Sequence, residues 1–232
     1  MKNTLCAFAL ASAVIALPAS ASNFSVNLGA IAVMPNDSSS SLNVVEQVAG
    51  LASGSTQVHV NDNVQLGLSI DYAIAPNWSL ELIAATPFSH DIQVRGSAIN
   101  GLSIGKTKHL PPTLLLQYHF DWHETIKPFI GLGVNYTVFF DEETSEDLAN
   151  TLTALNVMQT GDKLGLSLSD SWGIAAQLGV NMQLTEKLGL HLSASKMKID
   201  TRAQVKLNGT SIQKVDVTLD PLVAMVGLRF TL

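Results

Sequence analysis

From residue 22 onward, apolar residues recur at every second position in stretches of about ten residues. None of these stretches approaches the roughly 20 consecutive apolar residues that a membrane-crossing helix needs. Val64, Leu66, Leu68, Ile70 and Tyr72 alternate with Gln65, Gly67, Ser69 and Asp71. Trp172, Ile174, Ala176, Leu178, Val180 and Met182 alternate with Gly173, Ala175, Gln177, Gly179 and Asn181. Period two gives a strand one apolar and one polar face. In an exported bacterial-type chain that pattern predicts a closed transmembrane barrel with lipid outside and a polar lumen.

The N-terminus predicts export. Lys2 precedes an apolar core, Leu5 to Leu17, and Pro18 is followed by Ala19-Ser20-Ala21, a small-residue cleavage site. The expected organisation is a cleaved signal peptide at 1–21 and one outer-membrane β-barrel domain at 22–232. Cys6 leaves with the signal, so the expected mature chain has no thiol. Charged residues make up only 14% of the sequence and hydrophobic ones 47%, too little charge to cover a water-soluble surface. The formal charge of −6, without a basic stripe, excludes nucleic acid as a natural partner.

Eight alternating segments are expected, and the connections between them sort by length. Short turns fall at Ala75–Asn77, Asp121–Glu124 and Leu184–Lys187. Long connections run over Met34–Asn63, Phe88–His109, Asp141–Ser171 and Ile199–Asp216. Short turns belong to the periplasmic side and long loops to the outside. The reading is therefore a Gram-negative outer-membrane barrel with both termini periplasmic. Trp78, Tyr72, Tyr118, Phe120, Trp122 and Phe230 lie near the short-turn end, and Phe139, Phe140 and Trp172 near the loop end, as two aromatic girdles. Ser38–Ser41 reads as a flexible polar run. Glu146 and Asp147 open a stretch with Leu148, Leu152 and Leu155 on one helical face, a short helix packed on the barrel rim or, alternatively, a substrate-gating lid.

Several stretches carry a resemblance: LIAATPFSHDI (Leu82–Ile92), GKTKHLPPTLLLQYHF (Gly105–Phe120), KPFIGLGVNYTVFFDE (Lys127–Glu142), DSWGIAAQLGVN (Asp170–Asn181) and LDPLVAMVGLRF (Leu219–Phe230). The chain resembles the outer membrane protein W (OmpW) family, to which the alkane-uptake protein AlkL is related. The resemblance implies an eight-stranded barrel associated with passage of small hydrophobic molecules. The chain departs from the family's usual aromatic end, since Thr231 and Leu232 follow Phe230.

Parity assigns the lumen. Asp71, Glu81, His119 and Arg229 face inward near the short turns, as a polar floor. Toward the loops the inward positions include Ala85, Leu115, Met197 and Val223, an apolar pocket, with Pro87 and Pro111 at the same parity. Charges at membrane depth call for pairing or hydration. An eight-stranded barrel holds side chains or one small ligand rather than a broad water channel. A hydrophobic solute in such a pocket cannot easily leave through a charged floor. Pro87, Pro111 and Pro112 cannot donate ladder hydrogen bonds, which marks a possible lateral opening between strands three and four.

The expected function is passive uptake of small hydrophobic molecules with lateral release. The alternative is surface recognition through the loops, as an adhesin or a phage or bacteriocin receptor. Expected partners are outer-membrane lipids and lipopolysaccharide, small hydrophobic solutes and the barrel assembly machinery. No enzyme, cofactor or metal site is expected. His90-Asp91 and His109 have no nucleophile motif beside them, and the spacing of His119, Asp121, His123 and Glu124 matches no established metal site.

Overall fold

Lipid offers backbone amides no partner, so alternating strands are stable there only in a closed ring. Such a ring is what the chain forms. The computed structural model describes residues 23–232, and the signal peptide expected at 1–21 lies outside the described residues. In chain order the elements are β1 (Phe24–Met34), β2 (Ser38–Ser39), α1 (Asn43–Val48), β3 (Gln57–Val60), β4 (Asn63–Ala75), β5 (Trp78–Ala85), β6 (Phe88–Arg95), β7 (Ser103–Leu110) and β8 (Thr113–His119). They continue as β9 (Ile126–Thr144), α2 (Glu146–Ala154), β10 (Leu164–Leu168), β11 (Ser171–Gln183), β12 (Leu188–Met197), β13 (Asp200–Leu207), β14 (Thr210–Thr218) and β15 (Leu222–Thr231).

Strands β1, β4, β5, β8, β9, β11, β12 and β15 pair antiparallel in that order, and β15 closes on β1. The closing register sets Asn27 opposite Arg229 and Ile31 opposite Met225. Alternation fixes which face meets lipid. Leu132 and Trp172 are 71% and 73% exposed, whereas their inward counterparts Asn27, Glu81 and Gln117 are 0% exposed. Such an apolar outer band belongs in lipid rather than water. Aromatic pairs mark its limits: Phe24 with Tyr72 and Trp78 with Tyr118 at the turn end, Tyr136 with Trp172 at the loop end. Phe139 corrects the expected girdle, because it shares the inward parity of Thr137 and is buried.

The four long connections are the larger correction, because they are folded. Strand β7 pairs with the upper end of β9, β6 with β7 and β3 with β6, while β10, β13, β14 and β2 form a second sheet. Together they prolong the barrel above the lipid band around an apolar core that includes Val58, Ile92, Leu166, Ile199 and Val217. The supposedly flexible serines take part: Ser38 and Ser39 pair with Thr218 and Val217, and the Ser39 hydroxyl accepts from the Val58 amide at 2.8 Å. Buried Glu46 in α1 orders the first connection, since its carboxylate accepts from the Thr56 amide, the Thr56 hydroxyl and the Gly54 amide.

Helix α2 starts where its sequence signals it. The Ser145 hydroxyl accepts from the Leu148 amide at 3.0 Å, an N-cap, and Leu148 and Leu152 are buried. It packs on β7 within the extension rather than on the barrel rim. The β13–β14 hairpin turns on Asn208-Gly209, both with positive φ (50° and 84°), the conformation that Asn-Gly favours. Gly209→Val forces a β-branched residue into that region, at a cost of about 1–3 kcal/mol. Amide exchange along β13 and β14 should then accelerate, while the β1–β15 seam exchanges as before. Unchanged exchange in the hairpin would show that this turn does not hold the extension together.

Candidate functional site

The lumen is divided along its axis into layers of opposite character. At the turn end lies a cavity of about 230 Å³, lined by Ser25, Asp71, His119, Lys127, Asn181 and Arg229 among others. Arg229 closes it from above, with Nη1 donating to Asp71 Oδ2 and, at 3.1 Å, to Asn27 Oδ1. Asn27 in turn donates to Asp71 at 2.8 Å and to the Ser69 hydroxyl at 2.7 Å. These residues come together because β15, β1 and β4 are neighbours, with Arg229 opposite Asn27 and Ser25 opposite Asp71.

The next layer surrounds Glu81, which is fully buried. Its Oε1 accepts from the Ser69 hydroxyl at 2.6 Å, and its Oε2 from the side-chain amides of Gln117 and Gln177 at 2.7 and 2.9 Å. Gln117 also donates to Gln177 at 2.8 Å and accepts from the Ser79 hydroxyl at 2.9 Å. His191 lies 3.8 Å from Glu81, is bonded to Asn181 at 2.8 Å and stacks on Phe129. Strands β4, β5, β8, β11 and β12 each supply part of this plug, so it ties one side of the ring to the other. Of the four expected floor residues, Asp71 and Arg229 pair directly. Glu81 is held by neutral amides and a hydroxyl instead, and His119 by the Ser79 hydroxyl at 2.7 Å. Gln117, Gln177 and Asn27 were not singled out in the sequence, although their inward parity was legible there.

Above the plug the lining turns apolar. Leu115, Met197 and Val223 are at most 3% exposed and share one packed core with Ile31, Ile83 and Met225. Ala85 packs against that core, partly buried. This region is filled by side chains. Unfilled apolar space lies higher, and includes a cavity of about 40 Å³ lined by Val58, His90, Ile92, His109, Phe139 and Ile199 among others.

The prolines sit where the wall changes character. The β5–β8 ladder ends at Ile83 opposite Thr113, and the β6–β7 ladder resumes at Phe88 opposite His109. Residues 84–87 and 110–112 make no ladder to each other, and all three prolines fall there. Pro111 is buried, but Pro87 and Pro112 are exposed. The inward position expected for Pro87 is taken by Phe88, which is fully buried, because the chain leaves β5 at Ala85 and re-enters pairing one residue out of phase.

Phe88 roofs this junction together with His90, His109 and Phe139. Its ring lies 5.3 Å from that of His109, which stacks on Phe139 at 5.7 Å. The two imidazoles meet Nε2 to Nε2 at 2.9 Å, and His90 Nδ1 meets the Asn61 carbonyl at 2.6 Å. A carbonyl only accepts, so His90 Nδ1 carries the proton and His90 Nε2 accepts from His109 Nε2–H. Burial holds both rings below the usual histidine range, with His109 pushed down to about 3.

The sequence matches the profile of the OmpW family over residues 20–232. Outer membrane protein W of Vibrio cholerae serotype O1 is 38% identical over 241 residues, covering 99% of this chain and 100% of the relative. Outer membrane protein W of Escherichia coli K12 is 39% identical over 177 residues, 74% of this chain and 75% of the relative. The crystal structure of OprG from Pseudomonas aeruginosa superimposes with a TM-score of 0.73 at 37% identity, covering 89% of this chain and 94% of that one.

Two outcomes follow from these layers. Arg229→Ala leaves Asp71, 2% exposed, without its ionic partner. Losing one member of a buried pair costs about 3–5 kcal/mol. The folded form on an unheated gel should give way at a lower temperature, and Arg229→Ala combined with Asp71→Asn should recover part of the loss. An unshifted transition in the single variant would show that the pair does not brace the barrel. The second outcome concerns pH. Folded His109 stays neutral down to pH about 3, whereas the unfolded chain takes up a proton near 6.5. The unfolded form therefore binds more protons between those values. The stability that His109 confers is whole above pH 6.5 and declines as pH falls toward 3. Exchange of β6 and β7 amides, corrected for intrinsic rates, should quicken between pH 7 and 4.5, and His109→Gln should remove most of that change.

Proposed function

The chain belongs to the OmpW family, and on that footing we propose that it is a passive outer-membrane route for small hydrophobic molecules, taken in at the loop end and released sideways into the bilayer. One observation carries the reading: an apolar interior ends downward on a hydrogen-bonded charged layer. An apolar solute gains nothing by displacing those hydrogen bonds, since each buried polar group left unpaired is costly. The wall interruption at Pro87, Pro111 and Pro112 lies level with the apolar layer and offers a way around the plug. Closure is the resting condition, so passage requires side chains such as Phe88 to swing aside. The folded extension would then stand among the lipopolysaccharide sugars and carry the solute past them.

Two variants test this. Leu115 is the cross-strand neighbour of Glu81, so Leu115→Asn introduces polarity there without setting one carboxylate against another. Uptake of a hydrophobic compound such as n-octane should fall severalfold while the amount in the outer membrane stays constant, because desolvating the amide costs about 1–3 kcal/mol. Replacing Pro111 and Pro112 with valine restores ladder donors and should slow release. If deleting the whole protein leaves hydrophobic uptake unchanged, the transport reading fails and the folded extension becomes a recognition surface instead.

A further inference from the structure

The upper lumen is lined mainly by apolar side chains, yet it contains polar atoms that nothing in the protein satisfies. Among the described residues, Asn135 Nδ2 and Oδ1, Thr137 Oγ1 and His109 Nδ1 are buried without a hydrogen-bond partner. Asn135 and Thr137 are both 0% exposed and His109 is 3% exposed. Register places them in succession along one inward face. On β9, Asn135, Thr137 and Phe139 follow one another on the inward face, with Thr113 opposite Asn135 and His109 opposite Phe139. Gly173 on β11 lies opposite Asn135, and a Cβ there would strike the Lys198 carbonyl and stand 2.8 Å from Asn135 Oδ1, so only glycine fits beside that oxygen. Leu115, Met197, Ile199 and Phe88 belong to the same buried apolar core, and the apolar cavity is lined by His109, Phe139 and Ile199.

Unsatisfied buried polar groups are uncommon, and each asks for an explanation. Asn135 brings both donors and an acceptor, Thr137 either role, and His109 Nδ1 only an acceptor, because its Nε2 carries the proton shared with His90. None of the three is charged, so a charged solute would be desolvated there without compensation. A plain hydrocarbon fits the walls and leaves every one of these atoms unpaired.

We infer that the arc formed by Asn135, Thr137 and His109 is a selectivity site for small, uncharged, mainly apolar molecules carrying one hydroxyl group, such as phenols and short alcohols. Their ring or chain meets Leu115 and Ile199 while the hydroxyl pairs with the Asn135 amide at one depth or donates to His109 Nδ1 at the next. This deepens the hydrophobic-uptake proposal and rests on it for transport, but the binding site stands apart from any route. A ring-sized solute exceeds the cavity of about 40 Å³, so Phe88 or Phe139 must move to seat it.

The test compares p-cresol with p-xylene, which differ by a hydroxyl in place of a methyl group. With the full mature chain in nanodiscs, the Asn135 side-chain amide resonances should titrate with p-cresol at concentrations where p-xylene leaves them in place. Asn135→Leu with Thr137→Val, a nearly shape-conserving pair, should weaken p-cresol binding about tenfold and leave p-xylene binding equal or tighter, with the unheated gel mobility of a folded barrel retained. Asn135→Gln, which keeps the amide, should retain part of the preference if the double variant loses its fold. Equal response to both compounds, or p-cresol binding unchanged in the double variant, overturns the inference, as does a structure in which ordered water satisfies these atoms and stays when p-cresol is added. Should p-cresol bind as described while cells with and without the protein take up both compounds alike, the site stands and the transport proposal is the one that fails.

Discussion

Every strand in the lipid band has to hand its backbone hydrogen bonds to a neighbour, and this requirement organises the molecule. It forces the closure of β15 on β1, and closure with eight strands leaves an interior just wide enough for side chains. Once the interior is that narrow, the inward residues of opposite walls must touch. Glu81 reaches Gln177 across the ring, and Arg229 reaches Asp71 across β1. The period-two pattern thus sets the fold, and the fold makes the inward set a single packed column.

That column is not uniform, and its change in character is where chemistry enters. Polar side chains at membrane depth are tolerable only when they satisfy one another, and the Glu81 layer does so with amides and hydroxyls from several strands. A satisfied network is rigid and closes the axis to apolar solutes. Above it, the packed apolar layer and the cavity around His109 offer surroundings close to those of lipid. The wall is interrupted at the boundary between the two, where three prolines withhold ladder donors.

The barrel strands, their inward and outward faces and the polar floor were legible because alternation states them directly. Parity set Arg229 on one floor with Asp71 and Glu81, and of the two carboxylates it is Asp71 that Arg229 meets. The extension was not read from the sequence, although its signals were present. Phe88, His90, Ile92 and Val94 alternate with Ser89, Asp91, Gln93 and Arg95, and Asn208-Gly209 is a strong hairpin turn. Their polar outer face, long connections and serines resembled loops, and only tertiary pairing with β9 and β14 distinguishes the two. The roofing position of Phe88 was illegible for another reason. A one-residue phase change after Ala85 reverses inward and outward, and no local pattern announces it. The His90–His109 contact depends on that same change of phase.

The central claim is that the interior admits apolar matter and has no aqueous path from end to end. It is tested most directly by comparing uptake of n-octane and of the sugar arabinose in cells that make the protein and in cells that lack it. The account predicts that the protein speeds uptake of the hydrocarbon and leaves the sugar unaffected. Equal acceleration of both would mean that water crosses the Glu81 layer, and the divided lumen would be wrong.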